Sequence, residues 1–119
     1  MVEVKRGDVV LCDLNPVIGT EQKGIRPVVV LQIDRANAVS PHTIIAPFTT
    51  KIRRVILPSH VLITAGIGGL NQESVILCEQ IRVIDNSRII RLLGHLDEIY
   101  IEQIAKALAA ILGLQETQE

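Results

Sequence analysis

At 119 residues the chain suits one domain, 1–119, with a core of its own, and a net charge of −1, from 12 Lys plus Arg against 13 Asp plus Glu, excludes coating of duplex nucleic acid by bulk electrostatics. Hydrophobic residues make up 48%, which implies that some apolar surface meets another subunit, yet no apolar run approaches the ~18 residues that cross a bilayer. The start, MVEVKRGDVV, has no secretory apolar segment and no small-residue cleavage site, so the expected location is the cytoplasm, with no membrane partner.

Taken in order, Asp8 to Leu14 is a run of β-formers between Gly7 and Asn15-Pro16, which predicts a strand. A polar loop follows to Gly24. Pro27 to Ile33 predicts the next strand, proline being tolerated at a first position. Asp34 to Pro41 is turn chemistry with room for one helical turn over Arg35 to Val39. Thr43 to Phe48 predicts a strand that carries Pro47 near its end, which implies a sheet edge or a strand terminus there. The basic segment Lys51, Ile52, Arg53, Arg54 leads through Val55 to Leu57 and Pro58 to a strand over His60 to Thr64, and Gly66, Gly68 and Gly69 mark a loose connection.

Ser74 to Ile84, SVILCEQIRVI, is the longest strand signal. Its Glu79 and Gln80 point to opposite faces if the strand is continuous, so one of them faces a groove or solvent. Asp85 to Ser87 is a turn and Ile89 to Leu96 a last strand. From Asp97 the period changes: Ile101, Ile104, Ala105, Leu108, Ile111 and Leu112 share one helical face, with Asp97 as N-cap and Gly113 as the stop. The fold class that results is mainly β with a C-terminal helix, a small, partly open antiparallel barrel.

The chain is organised around GTEQKGIRPVVV, Gly19 to Val30. Its glycines free the backbone, its polar residues supply donors and acceptors, and Pro27 holds Arg26 in extended geometry, so the guanidinium is aimed at the mouth of a strand. That is what an anion site needs. The same residues also describe a surface hairpin with a solvated arginine. Lys51 to Arg54 joins Lys23 and Arg26 in one positive patch only if the fold gathers them. Cys12 and Cys78 lie in apolar runs as buried thiols, with no CxxC. His42, His60 and His95 are far apart in no metal-ligand spacing, so no metal and no cofactor is expected.

Five segments together resemble the MazF/PemK/Kid family of toxin endoribonucleases. They are RGDVVLCDLNP (Arg6 to Pro16), GTEQKGIRPVVVL (Gly19 to Leu31), PFTT (Pro47 to Thr50), LPSHV (Leu57 to Val61) and SVILCEQIRVID (Ser74 to Asp85), in the family's order and over nearly the whole chain. The resemblance implies an SH3-like barrel, a homodimer, and metal-independent cleavage of single-stranded RNA at short recognition sequences. It implies Arg26 and Thr49 as catalytic residues, and RNA contacts from Asn15, Gly19, Thr20, Glu21, Gln22, Lys23, Thr50 and Gln80. It also implies a cognate antitoxin whose acidic, disordered C-terminal segment blocks the RNA groove. Thr20 stands where serine is common, which keeps the hydroxyl.

The chemistry of these residue types agrees with that role. RNA carries its own nucleophile, the 2′-OH, so an enzyme need only align it with the phosphate and stabilise the charge that develops. Arginine as general base is awkward above a pKa of ~12, and Glu21 is the alternative. Of the two aromatics, Phe48 and Tyr100, only Phe48 is near the expected site, so base recognition rests mainly on polar groups. Two other readings stay open: a gyrase-poisoning toxin of the same fold, and a barrel that binds RNA or protein without chemistry.

Overall fold

A computed structural model describes residues 3–51 and 57–114. Seven strands form one open, antiparallel sheet: β1 (Asp8–Asp13), β2 (Ile25–Val30), β3 (His42–Thr49), β4 (His60–Ile63), β5 (Ser74–Leu77), β6 (Arg82–Asp85) and β7 (Ile89–His95). A single helical turn, α1 (Asp34–Asn37), precedes β3, and α2 (Glu98–Leu112) closes the chain. The sheet order is β4-β5-β3-β2-β1-β7, with β6 also paired to β3. The β1–β7 pairing slips between Val9 and Val10 and again between Leu11 and Cys12. Such irregularities bend and twist a strand, which curls the sheet without closing it.

Alternation along the strands divides the core. Val9, Val29, Ala46 and Phe48 point into one apolar cluster, which α2 covers with Ile101, Ile104 and Ala107. Val10, Cys12, Val28, Val30 and Ile45 point the other way into a second cluster. Burying Ile101 and Ile104 contributes roughly 1.5–3 kcal/mol each, enough to fix the helix on the sheet. Asp97 is the N-cap residue as its position predicts, but its side chain makes no capping bond, and Gly113 ends the helix at φ +70.

Three expectations need correction. Pro47 is neither at an edge nor at a terminus: β3 is a central strand, and Pro47 pairs with Val28 of β2. The proline is tolerated because β3 changes partner on its other side there, from β6 ending at Ile45 to β5 starting at Phe48, so no ladder bond needs the missing N–H. Ser74 to Ile84 is not one strand but β5 and β6 separated by a 3-10 turn at Cys78–Gln80, so the strand argument for Glu79 and Gln80 does not apply. The glycines at 66–69 make no loose connection. A Cβ on Gly69 would stand 2.1 Å from the Leu93 carbonyl oxygen, and one on Gly94 2.5 Å from the Gly68 backbone, so this turn is locked onto β7.

Candidate active site

The loop between β1 and β2 is tied down at its base. The Leu14 N–H donates to the Gly24 carbonyl at 3.0 Å, and the Gly24 N–H donates to Asn15 Oδ1 at 3.1 Å. Gly24, at φ +83, supplies the left-handed turn that returns the chain into β2. Halfway along, the Gln22 N–H donates to Gln80 Oε1 at 2.8 Å, which pins the loop to the 3-10 turn 58 residues away in sequence. The Ile18 N–H donates to Glu21 Oε1 at 2.8 Å, and the tip from Ile18 to Glu21 is exposed.

Arg26 leaves β2 beside this loop. Its Nε donates to the Lys23 carbonyl at 2.7 Å and its Nη1 to the Phe48 carbonyl at 3.4 Å. The guanidinium therefore lies against the peptide that precedes Thr49. The β2–β3 register gives the reason: Val28 faces Pro47, and carrying the same register two residues further sets Arg26 opposite Thr49 on the same face. Thr49 is 6% exposed, and its Oγ1 accepts the Lys51 N–H at 3.1 Å, which leaves the hydroxyl hydrogen to be donated elsewhere.

A cleft of about 200 Å³ is lined by Leu14, Glu21, Gln22, Pro47, Glu79, Gln80, Ile81 and Arg82; Arg26 and Thr49 are not among its walls, and Pro47, two residues before Thr49 on β3, links it to them. Of the residues expected to contact RNA, Glu21, Gln22 and Gln80 meet in it. Asn15, Gly19, Thr20, Lys23 and Thr50 are not among its walls. Asn15, Gly19, Thr20 and Lys23 belong to the loop, and Thr50 is exposed at the end of β3. Of the expected basic patch, Lys51 is exposed, while 52–54 lie outside the described residues. Phe48, the one aromatic near the site, is 2% exposed in the helix-backed cluster, so it offers no stacking platform to a base.

Sequence reasoning passed over part of this wall. Arg82 lines the cleft and its Nη1 donates to the Leu14 carbonyl at 3.2 Å. Glu79 lines it too, held by Ser59 and His60 from the start of β4. Its signal was the polar interruption of SVILCEQIRVI, but its partners lie 19 and 20 residues away, at and just before the start of β4. The thiols of Cys12 and Cys78 are free and buried, and burial pushes their pKa values up to about 11 and about 12, which leaves both protonated and unreactive near neutrality.

Comparison with known proteins gives a consistent answer. A family model described as PemK-like, MazF-like toxin of type II toxin–antitoxin system matches residues 5–112. The endoribonuclease EndoA of Bacillus subtilis is 47% identical over 111 residues, 93% of this chain and 96% of that protein. MazF from Deinococcus radiodurans superposes with a TM-score of 0.81 at 26% identity, over 95% of this chain and 99% of that one. The MazE–MazF structure from the same organism gives 0.76 at 25% identity, over 97% and 100%. No helix among the described residues is long and apolar enough to cross a membrane.

Proposed function

Since this chain belongs to the PemK-like, MazF-like toxin family of type II toxin–antitoxin systems and is an endoribonuclease, we propose that it cuts single-stranded RNA at a short recognition sequence, without a metal ion. The observation that carries the reading is the Arg26 guanidinium bonded to the carbonyl next to Thr49, a cation and a hydroxyl on one sheet face beside a cleft.

In the proposed reaction the ribose 2′-OH attacks the adjacent phosphorus and the P–O5′ bond breaks. The products are a 2′,3′-cyclic phosphate and a 5′-hydroxyl. Arg26 holds two phosphate oxygens and stabilises the charge that builds on them, and Thr49 donates one further hydrogen bond. The 2′-OH proton passes to a base, for which Glu21 of the loop is the candidate, and the departing O5′ takes up a proton from solvent. DNA, which lacks the nucleophile, survives.

The mechanism needs no Lewis acid because the guanidinium supplies the positive charge and the substrate supplies the nucleophile. A homodimer is proposed as the working form, in the cytoplasm. Exposed apolar residues such as Ile90 and Leu92 on the edge strand β7 fit a subunit contact. The antitoxin partner follows from the family, and its acidic, disordered segment would compete with RNA for Arg26 and Lys23.

The test is digestion of a defined RNA pool in EDTA, with the cut ends sequenced and their chemistry determined. Cuts at one short word with cyclic phosphate ends, lost in Arg26→Ala and in Thr49→Ala, are expected. Full activity in both variants, or a requirement for added metal, would overturn the mechanism.

A further inference from the structure

The reaction above uses Arg26, Thr49 and the loop, and leaves a polar cluster in the cleft wall without a task. Glu79 is gripped from behind by two donors: Ser59 Oγ to its Oε1 at 2.8 Å, and His60 Nε2 to its Oε2 at 3.0 Å. Ser59 is completely buried, and the Leu57 N–H donates to His60 Nδ1 at 3.3 Å. Nδ1 therefore acts as the acceptor, and Nε2 carries the hydrogen that goes to Glu79. Burial raises the Glu79 pKa, but the bonds from Ser59, its own backbone N–H and His60 together outweigh it and hold the carboxyl below its ordinary value.

An ionised carboxylate presents lone pairs to the cleft and no hydrogen. Against an RNA backbone that is a liability, since the phosphates are repelled. It becomes useful only where a base edge brings an N–H to it. Adenine, cytosine and guanine each carry an exocyclic amino group, whereas uracil offers a single ring N–H flanked by two carbonyl oxygens that would face the carboxylate. Stacking does not contribute, because no aromatic residue lines this cleft. The position also fits a base next to the scissile phosphate: Pro47, in the same cleft, lies two residues before Thr49 on one face of β3.

We propose that Glu79, oriented by Ser59 and His60, is a specificity-determining residue that selects a base with an exocyclic amino group at one position of the cleaved word and rejects uracil there. The proposal rests on the RNA-cleaving reading of the site.

The experiment compares wild type with Glu79→Gln on a randomised single-stranded RNA pool. The His60 Nε2–H fixes the amide oxygen of a glutamine on its own side, so the amide nitrogen falls on the side of Ser59, whose hydroxyl can turn to accept. The variant then shows the cleft a donor in place of an acceptor. Wild type is expected to restrict one position to amino-bearing bases. Glu79→Gln should lose that restriction, with relative cleavage of uracil there rising about 10- to 100-fold.

A second arm keeps the wild-type protein and replaces each amino-bearing base of the cut word, one at a time, by its deamino analogue. A single position should lose about 10-fold or more in kcat/KM. A word unchanged in Glu79→Gln, equal loss on every word, or indifference to all deamino analogues overturns the proposal alone. Failure of the wild type to cut any RNA overturns the nuclease reading and this one with it.

Discussion

The helix-backed face of the sheet and the cleft face are built from the same strands and differ by one residue of phase. Val29, Ala46 and Phe48 point into a cluster closed by Ile101 and Ile104, while Val28 and Pro47 lead along the other face to Arg26, Thr49 and the cleft. The first face is apolar throughout. The second has an apolar cluster of its own, around Val28, Val30 and Ile45, and beside it the cleft is fixed by single hydrogen bonds: Arg26 to Lys23 and Phe48, Gln22 to Gln80, Glu79 to Ser59 and His60. The difference separates two jobs. Packing that is dense and non-directional fixes the strands, and the directional polar contacts then aim a few groups from a support that does not move.

If that division is right, truncation in the apolar packing should act on stability and truncation of the polar groups at the cleft on chemistry. Phe48→Ala is the largest test: deleting a buried phenyl ring costs about 3–5 kcal/mol, a large share of the 5–15 typical of a whole domain. Denaturant unfolding should show it, and a loss below about 1 kcal/mol would mean that the helix-backed face is not the structural one. Arg26→Ala comes next. Removing one donor aimed at developing charge lowers kcat by about 10²–10³. Its unfolding midpoint should move much less than that of Phe48→Ala, because the residue gives up two hydrogen bonds at about 1 kcal/mol each. A variant as unstable as Phe48→Ala would merge the two faces into one function.

Gln80→Ala sharpens the comparison at one bond. It leaves the Gln22 N–H without its acceptor and should cost about 0.5–1.5 kcal/mol. The effect should be local, seen as faster amide exchange at Gln22 and in the neighbouring loop, with RNA cleavage weakened through KM more than kcat. Exchange that stays slow at Gln22 would show that the base of the loop, through Leu14 and Gly24, holds it without Gln80.

The unequal faces also explain what could be read in advance. β1, β2, β3 and α2 were legible because their apolar periods are local, and the family motif marked Arg26 and Thr49 by residue type. Their adjacency was not legible, since it depends on the β2–β3 register, which a 23-residue separation does not fix. Pro47 misled for a related reason: local chemistry says edge, and only the handover from β6 to β5 makes a central site tolerable. The break at Cys78–Gln80 is hidden because its apolar neighbours, Leu77 and Ile81, continue a strand-like run. For Glu79 and Gln80 the sequence gives only that one of them faces a groove or solvent; that Glu79 is the one gripped from β4's start, by Ser59 and His60, depends on contacts 19 and 20 residues away.

The smallest expected effect concerns the pH dependence of that last contact. Glu79 has a folded-state pKa held below its ordinary value, so its carboxylate contributes stability that is fully present above the unfolded value, ~4.3. That contribution is lost as pH falls through the lower folded value. Replacing the carboxyl by an amide removes this proton linkage but keeps the size, so the stability of wild type minus that of Glu79→Gln should shrink as pH falls below the ordinary carboxylate range. Because the side chain is a quarter exposed, solvent weakens the linkage, and the shrinkage should be small beside the other effects. Below the ordinary carboxylate range, a difference that grows instead of shrinking would mean that the folded protein takes up a proton at Glu79 or at His60 beside it, and repeating the comparison in a His60→Gln background separates the two. Growth that survives there would make Glu79 a neutral donor, and the cleft wall would present the opposite hydrogen-bonding face to RNA.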